Sequence, residues 1–367
     1  MCEFSVRGLI GRLPGAGRLP EIRPLRSPGE HGSESTVLAR RRFFGADAVD
    51  AGTGALRPDR VVLSWVGCTT YALAIAGSVL LLDAWVPRLT SAGYVPATPQ
   101  DLADLMPEAI LIGHGHFDHA GDAGRIAQAS GAVVYGTAEH CASISAQVPD
   151  STFGTVALGD ADTAPGQRHE FVIGPIAVTA VRHLHSARTA RDREDPARPF
   201  FPAPRLSPIL RHPPRLGSVL ETLPRLRDAE GGVLLYQLRV PGFALTWHDS
   251  SGPLTERAPH VLEVLAGLAP TDVHIGAVHG YNQLTNGLRD PRRYIEALAP
   301  SLFVPTHHDN WLPGLTAPAA TYDRALREEL SRVPDRPELR ALHDRADYLR
   351  PERLTFRLGA GSDNPVS

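Results

Sequence analysis

Ile110–Asp122 reads ILIGHGHFDHAGD, an apolar run that ends on a glycine and is followed by three histidines and an aspartate within six positions. The apolar part has the composition of a buried β-strand. His114, Gly115, His116, Phe117, Asp118 and His119 then lie on the loop that leaves this strand and enters a helix. Open α/β sheets build their sites there, at the carboxyl ends of strands. Gly115 allows a tight turn, so the imidazoles of His114 and His116 can reach one ion, while Asp118 and His119 are offset enough to reach a second. Imidazole nitrogen with carboxylate oxygen suits zinc, with iron and manganese as borderline alternatives. A lone histidine is more often a core or surface residue, but four potential ligands in six positions reverse that balance.

A metal site needs donors from elsewhere in the chain, and the same placement recurs. IAVTAVRHLHS (176–186) delivers His183 and His185 after an alternating strand, FALTWHDSSG (243–252) delivers His248 and Asp249, and LFVPTHHDNW (302–311) delivers His307, His308 and Asp309. The ordered set, with His114-Gly-His116-Phe-Asp118-His119 as an HxHxDH motif, resembles the metallo-β-lactamase-fold hydrolase superfamily over about residues 60 to 310. The resemblance implies an α/β fold, the αββα sandwich, with two divalent metal ions at one edge. It implies that His114, His116 and His185 hold one ion, that Asp118, His119 and His307 hold the other, and that Asp249 bridges them.

Neighbouring histidines compete for two of these places. His183 lies on the same strand face as His185, and the family's strand-then-His-Ser pattern favours His185. FVPTHHDN resembles the PxHxD ending of one branch, which favours His307 over His308 and leaves Asp309 behind the ligands. The stretch LSWVGCTTYALAIAGSVLLLDA (63–84) is similar to the sugar-phosphate-lactonase-like and phospholipase-D-like members. Those relatives commonly carry Gly-His-Ser/Thr where Gly67-Cys68-Thr69 stands, and a glycine where His248 precedes the aspartate. Both departures sit near the expected site.

Two ions about 3.5–4 Å apart lower the pKa of a bridging water toward neutrality and polarise the substrate oxygen. The implied activity is hydrolysis of a small ester, lactone or phosphodiester by a metal-bridging hydroxide. Asp118 and Asp249 would be catalytic as well as metal-binding, and His248, His279 or His308 would serve the leaving group, with His279 as the candidate carried forward. AVHGYNQLTNGLRDP (277–291) offers His279, Tyr281 and Asn282 to a substrate head, or is a turn whose Asn and Gly satisfy backbone geometry. The alternatives are a phospholipase-D-like phosphodiesterase, in which Phe200, Phe201, Ile209 and Leu210 meet an acyl chain, and a non-catalytic metal-binding scaffold. A di-iron redox protein would carry a glutamate in place of His116 together with a flavin domain.

Composition narrows the classes further. The 367 residues are 43% hydrophobic with a net charge of -3, enough for a large core and too little basic excess to attract nucleic acid or anionic lipid. The expected substrate is therefore a small molecule, anionic or amphiphilic, recognised locally. All 37 basic residues are arginine, so Schiff-base and P-loop lysine chemistry is excluded. Cys2, Cys68 and Cys141 are too few and scattered for a disulfide framework, which favours a cytoplasmic setting. RRRFF (40–44) resembles a twin-arginine signal, but no apolar segment follows it. The apolar run Tyr71–Trp85 contains an aspartate, is too short to span a bilayer, and reads as two buried strands.

Residues 1–58 are Gly-, Pro- and Arg-rich and read as an extension with little core of its own, before a hydrolase domain over 59–360. The strands predicted there are 60–66, 71–76, 79–83, 109–113, 132–136, 171–173, 176–182, 233–240, 243–247, 273–278 and 302–305. Predicted helices are 99–105, 119–130, 137–145, 254–268, 290–298 and 318–331. Residues 187–227 carry eight prolines and nine arginines and read either as a lid whose guanidinium groups clamp phosphate or carboxylate, or as a solvated insertion.

Overall fold

The computed structural model describes residues 33–88, 95–148, 150–204 and 207–358. Among them, the strands run in chain order as β1 Arg60–Gly67, β2 Thr70–Ile75, β3 Ser78–Leu82, β4 Ala109–Leu111, β5 Val133–Gly136, β6 Thr155–Ala157, β7 Arg168–Ile173, β8 Ile176–His183, β9 Val233–Val240, β10 Phe243–His248, β11 Val273–Ala277, β12 Leu302–Thr306, β13 Glu338–Leu339 and β14 Thr355–Arg357. They form two sheets in the orders β14-β1-β2-β3-β4-β5-β6 and β13-β12-β11-β10-β9-β8-β7. With helices flanking two mixed sheets, this is the αββα sandwich.

Burial explains the sequence pattern of the strands. β2, β3, β10, β11 and β12 are buried at every position, because one face meets the core and the other is covered, so they read as continuous apolar runs. β7, at the end of its sheet, buries less and alternates, and β6 at the other sheet's end is exposed throughout.

Strand direction collects the motifs at one edge. β3, β4 and β5 are mutually parallel, and β1 is antiparallel to β2, which is antiparallel to β3, so β1, β3 and β4 point the same way. In the other sheet β10, β11 and β12 are parallel, and β8 shares their direction through β9. The carboxyl ends of β4, β8, β10 and β12, which carry the metal-ligand candidates, therefore emerge on one side of their sheets.

The bounds of the extension and two of the predicted helices need correcting. The extension does not end at residue 58: Ser33–Phe44 is a helix, and Phe43, Phe44, Val49 and Leu56 are buried in the main core. RRRFF belongs to that helix, where Arg40 donates to the carbonyls of Leu105 and Gly54. Residues 1–32 lie outside the described residues. The predicted helix 254–268 divides into Leu254–Arg257 and His260–Ala266, and 119–130 is two helices, Phe117–Ala120 and Ala123–Ser130. The Asp122 N–H leaves the helical pattern to bond the Ala84 carbonyl, while its carboxylate accepts from the Val86 N–H and from Arg88 and Arg125.

The segment 187–227 also divides. Its first half is fastened to Arg289–Leu298, a helix of the second sheet's outer layer: Asp192 pairs with Arg289, and Asp195 with Arg292 and Arg293. The segment's carboxylates make these pairs, whereas the expected clamp rested on its arginines. Phe200 is half-buried and packs edge-on to Tyr322. The second half forms the short helices Ser207–Arg211 and Leu216–Thr222, with Leu210, Leu216, Leu223 and Leu226 exposed.

Candidate metal centre

The β4 exit places His114 and His116 side by side, with Nε2 of the first 3.0 Å from Nδ1 of the second. His185, beyond the end of β8, brings its ring to 4.7 Å from that of His114 and 5.0 Å from that of His116. Its Nδ1 donates to the Ser186 carbonyl, which leaves Nε2 as a lone-pair donor. Beside this trio, the Asp118 carboxylate lies 3.4 Å from His119 Nε2 and 3.3 Å from His307 Nε2. The His119 and His307 rings are stacked. Donor atoms of His114, His116 and His185 all lie within 4.8 Å of one another, as do those of Asp118, His119, His307 and Cys68. Asp249 stands between the groups, 2.7 Å from His114 Nδ1 and 3.3 Å from His119 Nδ1.

Close packing dictates both glycines of the loop. A Cβ at Gly113 would lie 2.2 Å from the Asp249 carboxylate, and one at Gly115 would lie 2.4 Å from the Ala229 carbonyl. Gly115 is thus required by the approach of residues 229–230, to which its N–H donates, rather than by the tight turn read from the sequence.

The remaining candidates fall outside the cluster or take other parts. His183 bonds the Tyr294 hydroxyl and packs against His248, which in turn contacts His274. His308 donates to the Leu342 carbonyl and stacks on Trp65. Neither His248 nor His308 reaches the cluster as a leaving-group acid. His279 lies against His307, but burial lowers its pKa to about 3, so at neutral pH it holds no extra proton for a leaving group. Asn282 is committed to Asp290 and Thr189 and braces the 187–204 segment, whereas Tyr281 is exposed.

Sequence reasoning missed Asp83, Thr69 and Glu230. Asp83 Oδ2 accepts from His119 Nδ1 at 2.8 Å and from the Thr69 hydroxyl at 2.6 Å, and Oδ1 accepts from the Gly113 N–H. A carboxylate behind an imidazole selects the tautomer that turns the other nitrogen toward a metal. The Glu230 carbonyl holds both the Gly115 N–H and His140. An aspartate closing the apolar run of β3 was the one available signal for Asp83.

The electrostatics of His114, His116 and Asp249 fit a cation. Burial and neighbouring histidines push His114 well below its ordinary pKa and His116 to about 4, leaving both imidazoles unprotonated, as ligands must be. Burial, then the charge of Asp83, raises the Asp249 carboxyl, and its Oδ1 is buried without a hydrogen-bond partner. Buried oxygens in that state cost about 1–3 kcal/mol each, which a cation would remove.

Residues 63–244, about half of the chain, match the model of the metallo-β-lactamase superfamily. The chain belongs to the metallo-β-lactamase superfamily. Within it, the chain is similar to a metal-dependent hydrolase of Pyrobaculum neutrophilum, 36% identical over 105 residues that cover 27% of this chain and 45% of that protein. A metal-dependent hydrolase of Dinoroseobacter shibae is 30% identical over 130 residues, 35% of this chain and 51% of its own. The chain thus spans about half the length of the curated relatives it matches. The isothiocyanate hydrolase from Delia radicum gut bacteria has a similar fold, with a TM-score of 0.50 at 16% identity, covering 82% of this chain and 100% of that one. Asp249 and His307 lie beyond the residues matched by the superfamily model, so their inclusion rests on the geometry above. No helix among the described residues is long and apolar enough to cross a membrane.

Proposed function

We propose that this metallo-β-lactamase-superfamily chain is a metal-dependent hydrolase with a dinuclear centre, acting on a small ester, lactone or phosphodiester. The observation that carries the reading is the convergence of two donor groups, His114/His116/His185 and Asp118/His119/His307, with Asp249 between them. These residues would hold two divalent ions, for which zinc suits the mixed nitrogen and oxygen donors. When bound, such a pair supplies water activation near neutral pH and polarisation of the substrate oxygen.

The chain's own residues orient and enclose. Asp83 and Thr69 hold the His119 ring in place, and Asp249 does the same for His114. Asp118, at the centre of its group, can accept a hydrogen bond from the attacking water. Neutral His279 offers a hydrogen bond to substrate or product without delivering a net proton. Trp85, Phe117 and Trp311 pack edge to face beside His307 and form an apolar wall that excludes water.

Protein purified without chelator is expected to contain close to two transition-metal ions per chain. It should cleave at least one of a generic ester, lactone or phosphodiester, lose that activity on chelation and regain it with zinc. A metal-free, folded and fully active protein would overturn the reading. Two bound ions with no turnover across the panel would leave the non-catalytic scaffold.

The exposed leucines of 207–227 favour a phospholipase-D-like variant of this reading, in which the second half of the segment covers an amphiphilic substrate. Its end lies beside the site: Thr222 and Arg225 share a recess with Trp85 and Phe117. Replacing 207–222 by a short Gly/Ser loop should keep both metals and the turnover of a small activated ester. Selection for acyl-bearing substrates should weaken by about 1.5–3 kcal/mol, one buried leucine side chain. Steady-state kinetics on a chain-length series measures this, and unchanged selectivity would show that the segment is a solvated insertion.

A further inference from the structure

We propose that the thiolate of Cys68 is a protein ligand to the second metal ion, the one held by Asp118, His119 and His307; this rests on the dinuclear reading above. Cys68 sits in the β1–β2 connection, where it is fully buried. Its Sγ is 4.0 Å from Asp118 Oδ2 and lies within 4.8 Å of the donor atoms of His119 and His307. A cysteine that merely fills a core is surrounded by apolar atoms. This one faces a carboxylate and two imidazoles.

The backbone is built to keep it there. The Cys68 N–H donates to both oxygens of Asp309, itself fixed by the Tyr348 hydroxyl at 2.6 Å. The Cys68 carbonyl accepts from Trp65 Nε1, from the Thr306 hydroxyl and from the His307 N–H. That last bond, 3.1 Å long, ties residue 68 to residue 307, so thiol and imidazole arrive at the same point from different sheets. Cys141, the other cysteine among the described residues, contacts the Val156 carbonyl and belongs to none of the donor groups.

Ligation would break the S–H bond as the S–metal bond forms, with the proton released to solvent. The two positions then differ in kind. One group would offer three imidazoles and the other a carboxylate, two imidazoles and a thiolate, with Asp249 between them. A soft sulfur donor also biases that position toward zinc and against magnesium or manganese.

X-ray absorption of the zinc-loaded full-length protein tests this. The expected result is a sulfur scatterer at about 2.3 Å, distinct from nitrogen and oxygen near 2.0–2.1 Å. It should be lost in Cys68→Ala and retained in Cys141→Ser, and zinc content in the alanine variant should fall from two toward one per chain. Two zinc ions with only nitrogen and oxygen neighbours would overturn the ligand role while leaving the dinuclear centre intact. A sulfur signal that survives Cys68→Ala would overturn it equally. Absence of zinc from a folded parent protein would instead remove the proposed function on which it rests.

Discussion

His116→Ala and His307→Ala are each expected to reduce bound metal from about two ions per chain to one or fewer and to slow hydrolysis by roughly a thousandfold. Each side chain belongs to a different donor group, His116 beside His114 and His185, and His307 beside Asp118 and His119. Removing either takes an imidazole from its group, leaving His114 and His185 beside Asp249 in one case and Asp118 and His119 beside Cys68 and Asp249 in the other, and an ion that loses an imidazole donor is held less tightly. Metal activation contributes several kcal/mol to such reactions, and about 4 kcal/mol corresponds to a thousandfold at 1.36 kcal/mol per tenfold. The informative controls are their neighbours. His183→Ala loses a bond to Tyr294, and His308→Ala a bond to the Leu342 carbonyl. These changes should lower stability by about 1–3 kcal/mol while leaving metal content near two. Elemental analysis and thermal melts of the four variants check the assignment, and metal loss in the control pair alone would reverse it.

Arg289→Ala is expected to lower stability by about 3 kcal/mol and to release residues 187–200 from the domain. The guanidinium is fully buried and serves Asp192, Glu256 and Asp290 at once. Breaking a buried ion pair from one side typically costs about 3–5 kcal/mol. Asp192 and Glu256 keep part of their solvent, which places this case at the low end of that range. Since an unfolding entropy of about 2.1 cal/mol/K per residue makes 1 kcal/mol worth roughly 1.3 °C in a chain of 367 residues, a fall of about 4 °C should be seen. The freed segment carries Arg188, Arg191 and Arg193, none followed by proline and each a site for trypsin. Limited digestion should therefore cut there first in the variant. An unchanged melt together with unchanged resistance would show that the ion pairs do not fasten the segment.

Much of the fold was legible because each central strand is buried on both faces and so appears as an uninterrupted apolar run. The predicted 233–240 coincides with β9, and 60–66, 302–305 and 176–182 each fall one residue short of β1, β12 and β8. The strands that went unread, β6, β13 and β14, have two or three residues each and lie at the ends of their sheets. Such strands are specified by what they pair with, and their own pattern is too short to show it. The helix Ser33–Phe44 was hidden for a related reason: its three consecutive arginines resemble a solvated run, and only packing shows that Phe43 and Phe44 anchor it.

What this chain's sequence determined by itself was the chemistry available. Histidines and aspartates follow β-runs at four places, no lysine is present, and the loop after β4 carries two pairs of donors at ligand spacing. These are local facts, set by residue type and by the period of a strand. Tertiary structure alone decided which donors share a point. Parallel directions in two different sheets bring residues 68, 118 and 307 together, and they separate His185 from His183 and His307 from His308, though each pair is neighbouring in sequence. It also turned Asp83 from the end of an apolar strand into the support of His119, and the carboxylates of 187–204 into the ties of that segment. Contact between residues far apart in the chain depends on sheet order and strand direction, and neither is encoded in any short stretch of sequence.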